Sequence, residues 1–263
     1  MELEIEPGEM EVSGVNKSFI GGNEALKDVN FKVEKGTFTC LCGPSGCGKT
    51  TLINLLAGYD MPDRGSVHLD GQPVKEASWD RLVIFQETAL FPWMTVWDNA
   101  LFGPRAQGID KAKAEKRAQD FINRVALTGF EDKYPMQLSG GMQRRAELVR
   151  TLVNDPKVML MDEPFRGLDA MTREIIQEYV IKLYEETKVS ILFITAELEE
   201  AIYLGDVVYF LTAAPGTIKE KMEVDLPRPR LFEHTLTERF QELQTKAIEI
   251  VDEEAVKAFG GRR

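Results

Sequence analysis

Glycines, a lysine and a hydroxyl stand at fixed spacing in Gly43-Pro44-Ser45-Gly46-Cys47-Gly48-Lys49-Thr50, which fits the phosphate-loop pattern G-x-x-x-x-G-K-[ST]. Each fixed position has a chemical reason. Glycines let the backbone turn its N–H groups inward around phosphate oxygens. A helix that starts at the loop offers its positive end to the anion. Lys49 reaches the terminal phosphates and the Thr50 hydroxyl can ligate Mg²⁺. The implied ligand of residues 43–51, Thr51 included, is a nucleoside triphosphate with magnesium. The metal also needs a carboxylate from a neighbouring strand. Val158-Met159-Leu160-Met161-Asp162-Glu163 supplies one, as four apolar residues followed by two acids. Asp162 would hold the magnesium through water. Glu163, one step past the strand end, could polarise an attacking water as general base.

The surrounding pattern must bring these groups together. Residues 10–19 and 25–34 read as strands around a Gly21-Gly22-Asn23 turn. Residues 37–42 form an apolar strand that runs into the phosphate loop, and a helix follows over 49–57. Short strands are expected at 65–69 and 81–85. Residues 87–138 change to a helical character, with Ala114, Ala118, Phe121, Ile122 and Val125 at helical spacing. Alternation then returns: helix 143–153, strand 158–161, helix 171–185, strand 190–194, helix 197–204, strand 207–211. Apolar strands alternating with helices imply a parallel sheet covered on both faces. Leu226-Pro227-Arg228-Pro229-Arg230 breaks the pattern. Residues 237–259 then read as an amphipathic helix with Phe240, Leu243, Ala247, Ile250 and Val251 on one side.

Bulk properties narrow the partners. The 263 residues are 43% hydrophobic and 29% charged, an ordinary globular composition. A formal net charge of −11 argues against nucleic acid, which needs clustered Lys and Arg. No apolar run reaches the length of a membrane span. The acidic start Met1-Glu2-Leu3-Glu4-Ile5-Glu6 does not read as a secretory signal, so a cytoplasmic setting is expected. The three cysteines, Cys40, Cys42 and Cys47, are bunched without zinc spacing and read as small buried residues. His68 and His234 are the only imidazoles, which excludes a multi-histidine metal site.

At Leu138-Ser139-Gly140-Gly141-Met142-Gln143 the sequence resembles the signature motif of ATP-binding-cassette (ABC) ATPases. The resemblance spans about residues 10–230, in the family's order. It implies an α/β fold: a P-loop NTPase with a RecA-like core, an antiparallel β subdomain and an inserted α-helical subdomain. Residues 1–86 and 144–230 would form the nucleotide-binding core, 87–143 the helical signature subdomain, and 231–263 a helical tail. By the same resemblance Gln86 is the Q-loop glutamine that senses magnesium and the attacking water. Gly167-Leu168-Asp169 resembles the D-loop, and Phe19 occupies the place of the aromatic that stacks on adenine. The family implies a head-to-tail dimer around two ATP molecules. Each ATP would touch the phosphate loop of one chain and Ser139, Gly140 and Gly141 of the other, with Gln143 and Asp169 nearby.

The stretch Gln86-Glu87-Thr88-Ala89-Leu90-Phe91-Pro92-Trp93-Met94-Thr95-Val96-Trp97-Asp98-Asn99 is similar to the cassettes of nitrate, sulfonate and taurine importers, as are Ala214-Pro215-Gly216-Thr217-Ile218 and residues 224–230. Such cassettes imply two transmembrane permease subunits as partners, an extracytoplasmic solute-binding protein acting indirectly, and a peripheral site on the cytoplasmic face of the membrane. Solute choice lies with those partners. Leu90, Phe91, Trp93 and Met94 suit either an interface for a permease coupling helix or the core of the helical subdomain. A soluble cassette acting on nucleic acid or ribosomes would instead call for a second cassette, a coiled-coil insertion or a basic face. A non-hydrolysing regulatory cassette is a third reading, resting only on residue 196.

One position departs from the resemblance. After the strand at 190–194 the family usually shows Thr-His, and that histidine contacts the γ-phosphate and helps to arrange water and base. Here the text is Thr195-Ala196-Glu197. A methyl group neither donates to phosphate nor orients water, so ATP binding with strongly reduced hydrolysis is expected. The otherwise complete site favours a deliberate substitution that traps the ATP-closed pair over a cassette that is naturally slow or leans on an active partner.

Overall fold

The chain begins with a hairpin, β1 (Met10–Ser18) and β2 (Glu24–Val33), followed by β3 (Phe38–Cys42) and helix α1 (Lys49–Ala57). Next come β4 (Arg64–Leu69), the two-residue β5 (Gln72–Pro73) and β6 (Arg81–Ile84). Three helices follow: α2 (Val96–Ala106), α3 (Lys111–Arg124) and α4 (Gly140–Leu152). The remainder alternates as β7 (Val158–Asp162), α5 (Ala170–Thr187), β8 (Ser190–Thr195), α6 (Leu198–Leu204), β9 (Val207–Leu211), β10 (Ile218–Glu223) and α7 (Glu238–Ala258). This is a computed structural model, and it describes residues 5–19 and 21–258.

Two sheets result. β2-β1-β4-β5 is antiparallel, and β10-β9-β3-β8-β7-β6 is parallel apart from its β10 edge. β3, β7 and β8 are buried along their whole length. That burial demands apolar side chains on both faces, and alternation sorts them. Leu41, Leu160, Leu192 and Ile194 point to the side shared with α1 and the antiparallel sheet. Cys40, Met159, Met161 and Phe193 point to the side covered by α2 to α7. Each fully buried Leu, Ile, Met or Phe contributes roughly 1.5–3 kcal/mol. The three central strands therefore form a rigid floor, and the phosphate loop, Asp162 and Ala196 all stand at one end of it.

The expected elements are present; the two-residue β5 is additional, and three further differences stand out. The helix expected from 143 begins at Gly140, because the Ser139 hydroxyl caps it by accepting from the Met142 N–H at 3.3 Å. The domain boundary expected at 143/144 thus lies in the first turn of α4. β10 was not anticipated. It is a polar edge strand with Met222 as its buried residue, so no apolar alternation marks it. The terminal helix buries Phe240, Leu243, Ala247 and Ile250 and packs on α6. Its expected last residue, Phe259, lies outside the described residues.

Candidate nucleotide-binding site

β3 runs straight into the phosphate loop, and α1 starts at Lys49 behind Gly48, whose φ is +96°. A side chain at Gly48 would also meet the Ala25 carbonyl at 2.8 Å, so two independent constraints require glycine there. Gly43 is tight for another reason: a Cβ would lie 2.8 Å from Leu211 and 2.9 Å from the Cys47 sulfur. The Cys47 thiol is buried beneath the loop, and that burial pushes its pKa up. Burial does the same to Cys40 and raises Cys42 to about 12. All three thiols serve packing.

The Lys49 ammonium is buried. It donates to the carbonyls of Gly43 (2.9 Å) and Pro44 (3.0 Å) and lies 3.3 Å from Glu163 Oε1. The Thr50 hydroxyl donates to Asp162 Oδ2 at 3.0 Å. Burial pushes the Asp162 carboxyl up, against the Thr50 hydrogen bond and the Lys49 charge, with Glu163 adding to the rise. A cation between these oxygens would relieve that penalty. One carboxylate and one hydroxyl are a hard, oxygen-only set, too small to cage a metal alone. That suits magnesium, which keeps waters and phosphate oxygens among its ligands. Among the described residues no group of three or more His, Cys, Asp or Glu gathers as a metal cage.

Glu163 occupies the turn after β7 with φ +43°, a left-handed conformation that a non-glycine residue adopts at a cost. Its N–H donates to the Ile194 carbonyl at 2.9 Å, which ties the turn to β8. The carboxylate lies between two cations, Lys49 and Arg166, with Arg166 Nη1 2.9 Å from Oε2. A cleft of about 450 Å³ opens above this floor, lined by Phe19, Ser45, Lys49, Thr50, Gln86 and Glu163 among others. Gly46, Gly48 and Thr51 complete the loop wall. Half-exposed Phe19 stands opposite, together with Ala214. Ala196 is exposed in an adjoining cavity of about 250 Å³, which shares Ser45, Glu163 and Arg166 with the cleft.

The signature residues do not join this cleft. Ser139 and Gly140 are exposed at the start of α4. A Cβ on Gly141 would lie 2.7 Å from the Thr172 methyl, so α4 and α5 approach closely there. Asp169 caps α5 by accepting from the Thr172 N–H at 3.0 Å, and its hydrogen bonds to Thr172 hold its carboxyl below the usual range. The Gln143 amide donates to Pro135 O (2.9 Å) and Leu138 O (3.3 Å), bracing the turn ahead of the helix.

Sequence reasoning missed the group that holds Gln86. Arg144 donates to the carbonyls of Phe85 and Gln86, both at 2.7 Å, and to Glu147 at 2.6 Å. Glu147 in turn accepts from the Ala89 N–H at 2.5 Å. Arg150 donates to the Ala89 carbonyl and lies over the Phe91 ring, 4.6 Å from its centre. The available signal was a charged pair at i and i+3 within an otherwise apolar helix face. Beside this loop Tyr59, Trp79, Phe85 and Phe102 line an aromatic groove of about 150 Å³ with Glu147 and Arg150. Of the apolar loop residues, Leu90 is buried and Trp93 is 69% exposed.

Residues 26–166 match the family model described as ABC transporter. The chain is 46% identical over 253 residues to an uncharacterised ABC transporter ATP-binding protein of Methanocaldococcus jannaschii, covering 95% of this chain and 94% of that one. It is 42% identical to a nitrate import ATP-binding protein of a Synechocystis species, covering 83% of each. Among solved structures it is similar to a dimeric ATP-binding cassette in a post-hydrolysis state bound to ADP and phosphate. The TM-score there is 0.71 and the identity 27%, over 83% of this chain and all of that one.

Proposed function

The chain belongs to the ABC transporter family and is an ATP-hydrolysing subunit of it that uses ATP with Mg²⁺, and from that premise we propose that it powers solute import through a membrane permease. The observation that carries this reading is the aromatic groove beside Gln86. An apolar cleft framed by Arg150 and Glu147 suits a short amphipathic helix of a membrane subunit. Glu147 in the groove accepts from the Ala89 N–H and from Arg144, which donates to the Gln86 carbonyl, so a push on the groove would reach the magnesium and water positions. The likeness to nitrate, taurine and aliphatic-sulfonate import proteins supports the same class.

In this reading two cassettes close head to tail, and residues 139–141 and 143, with Asp169, complete the ATP site of the partner cassette. Phe19 stacks on adenine, Lys49 and the loop N–H groups hold the phosphates, Thr50 and Asp162 hold the metal, and Gln86 and Glu163 set the water. Residues 1–86 and 144–230 are the nucleotide-holding core, 87–143 the part that carries the permease contact and signature, and 231–263 a packed tail. The chain acts at the cytoplasmic face of the membrane with two permease subunits and, through them, an external solute-binding protein. No described helix is long and apolar enough to cross a membrane. Ala196 slows hydrolysis, so the closed pair outlives ATP binding.

The test is affinity purification of the tagged chain from detergent-solubilised membranes. Recovery of a hydrophobic membrane subunit, reduced by Trp79→Ala with Tyr59→Ala, is expected. Recovery of nucleic acid or of soluble proteins alone would sink the importer reading.

A further inference from the structure

Ala196 offers no hydrogen-bond donor to the cavity that it shares with Glu163. The groups around that cavity can be taken in turn. Lys49 already serves the phosphates from the loop side and does not line the Ala196 cavity. The Thr195 hydroxyl lines the Ala196 cavity but is committed to Glu200 Oε2 at 2.6 Å and is absent from the nucleotide cleft. Arg173 reaches back to the Leu168 carbonyl at 3.4 Å and lines the Ala196 cavity but not the nucleotide cleft. Three residues line both spaces: Ser45, Glu163 and Arg166. Arg166 is the cation among them.

The chain fixes Arg166 there by a tight turn. Its N–H donates to the Glu163 carbonyl at 3.1 Å, so the two side chains stand on the same side, three residues apart. Gly167, with φ +83°, then carries the backbone away. One guanidinium nitrogen is on Glu163 Oε2 at 2.9 Å. The side chain is 60% exposed and lines both the cleft and the Ala196 cavity, and the planar fork carries further N–H groups in a geometry that matches phosphate oxygens.

We propose that Arg166 takes over the missing phosphate contact: it donates to the γ-phosphate of bound ATP beside Glu163, and the turnover that survives at Ala196 runs through it. Water oxygen attacks the γ-phosphorus, its proton passes to Glu163, and the bond to the ADP oxygen breaks. Arg166 takes no proton in this step and neutralises charge on the phosphoryl oxygens. The assignment rests on the ATPase reading but not on the importer reading.

The experiment compares the unsubstituted chain with Arg166→Gln and Arg166→Lys, each also in an Ala196→His background. Affinities for Mg-ADP and for the non-hydrolysable imido analogue of Mg-ATP are measured alongside phosphate release. Arg166→Gln is expected to weaken the analogue about tenfold, leave ADP within about twofold and cut turnover about tenfold, with Lys recovering part of each loss. In the Ala196→His background the same change should cost less than about threefold, because the imidazole then makes the contact. Faster turnover in Arg166→Gln, equal weakening of ADP and analogue, or the same loss in both backgrounds would each overturn the assignment. Failure of the ATPase reading itself looks different: the unsubstituted chain would bind neither nucleotide.

Discussion

Strands β7 and β8 lie side by side and end at the same level, Asp162 pairing with Ile194, yet the two ends are finished very differently. The β7 end carries two carboxylates, one on the Thr50 hydroxyl and one between Lys49 and Arg166. The β8 end carries a methyl group. Beneath that methyl the polar frame is complete. Glu200 is buried and accepts from the Thr195 hydroxyl at 2.6 Å and the Gln177 amide at 2.9 Å, and Thr195 accepts from the Glu197 N–H at 3.0 Å. The fold therefore builds a mount at 196 whether or not a functional group stands on it. The two ends differ in what their side chains offer: two carboxylates after β7, a methyl after β8.

The sharpest way to break this contrast is to remove the chemistry from β7. Glu163→Gln keeps shape and removes the carboxylate proposed as the base. Turnover measured by phosphate release should fall at least about 100-fold while nucleotide binding persists. Unchanged turnover would mean that β7 is no more reactive than β8, and the contrast would collapse.

Restoring β8 tests the other half. Ala196 is exposed, lies beside the cavity and is not in the left-handed backbone region, so a larger side chain fits without backbone strain. Ala196→His should raise turnover about tenfold or more with little change in thermal stability. No gain would show that position 196 does not limit hydrolysis.

How far this contrast was legible beforehand depends on how local each feature is. The phosphate loop and the Asp162-Glu163 pair are contiguous in the chain, and each residue's role follows from its neighbours. The apolar strands follow from alternation and burial. Arg144 is different: its partners are the carbonyls of Phe85 and Gln86 across the fold, and carbonyls leave no mark in a sequence. Gly140 and Gly141 read as loop because glycine is a poor helix former, but the Ser139 cap overrides that preference. Nothing in the sequence singles out Arg166, which the turn after β7 brings onto Glu163. The frame under Ala196 was hidden for the same reason, since Gln177 and Glu200 meet only when α5 and α6 pack.

That frame supports the smallest effect. Burial pushes the Glu200 carboxyl above its ordinary value of 4.5, with the Thr195 and Gln177 hydrogen bonds opposing the rise. A raised carboxyl binds its proton more tightly in the native state than in the unfolded chain. Its contribution to stability is therefore fullest at acid pH and declines as pH rises from about 4.5 through the raised native value. Glu200→Gln removes that dependence and replaces one acceptor with a donor facing Thr195 or Gln177. Denaturant unfolding should show a loss of about 1 kcal/mol near neutrality and a flatter stability profile above pH 4.5. The variant should also blunt the gain from Ala196→His, because the strand end would no longer be held in register with Glu163. A full gain in the double variant would show that the mount is incidental and that β8 needs only the right side chain.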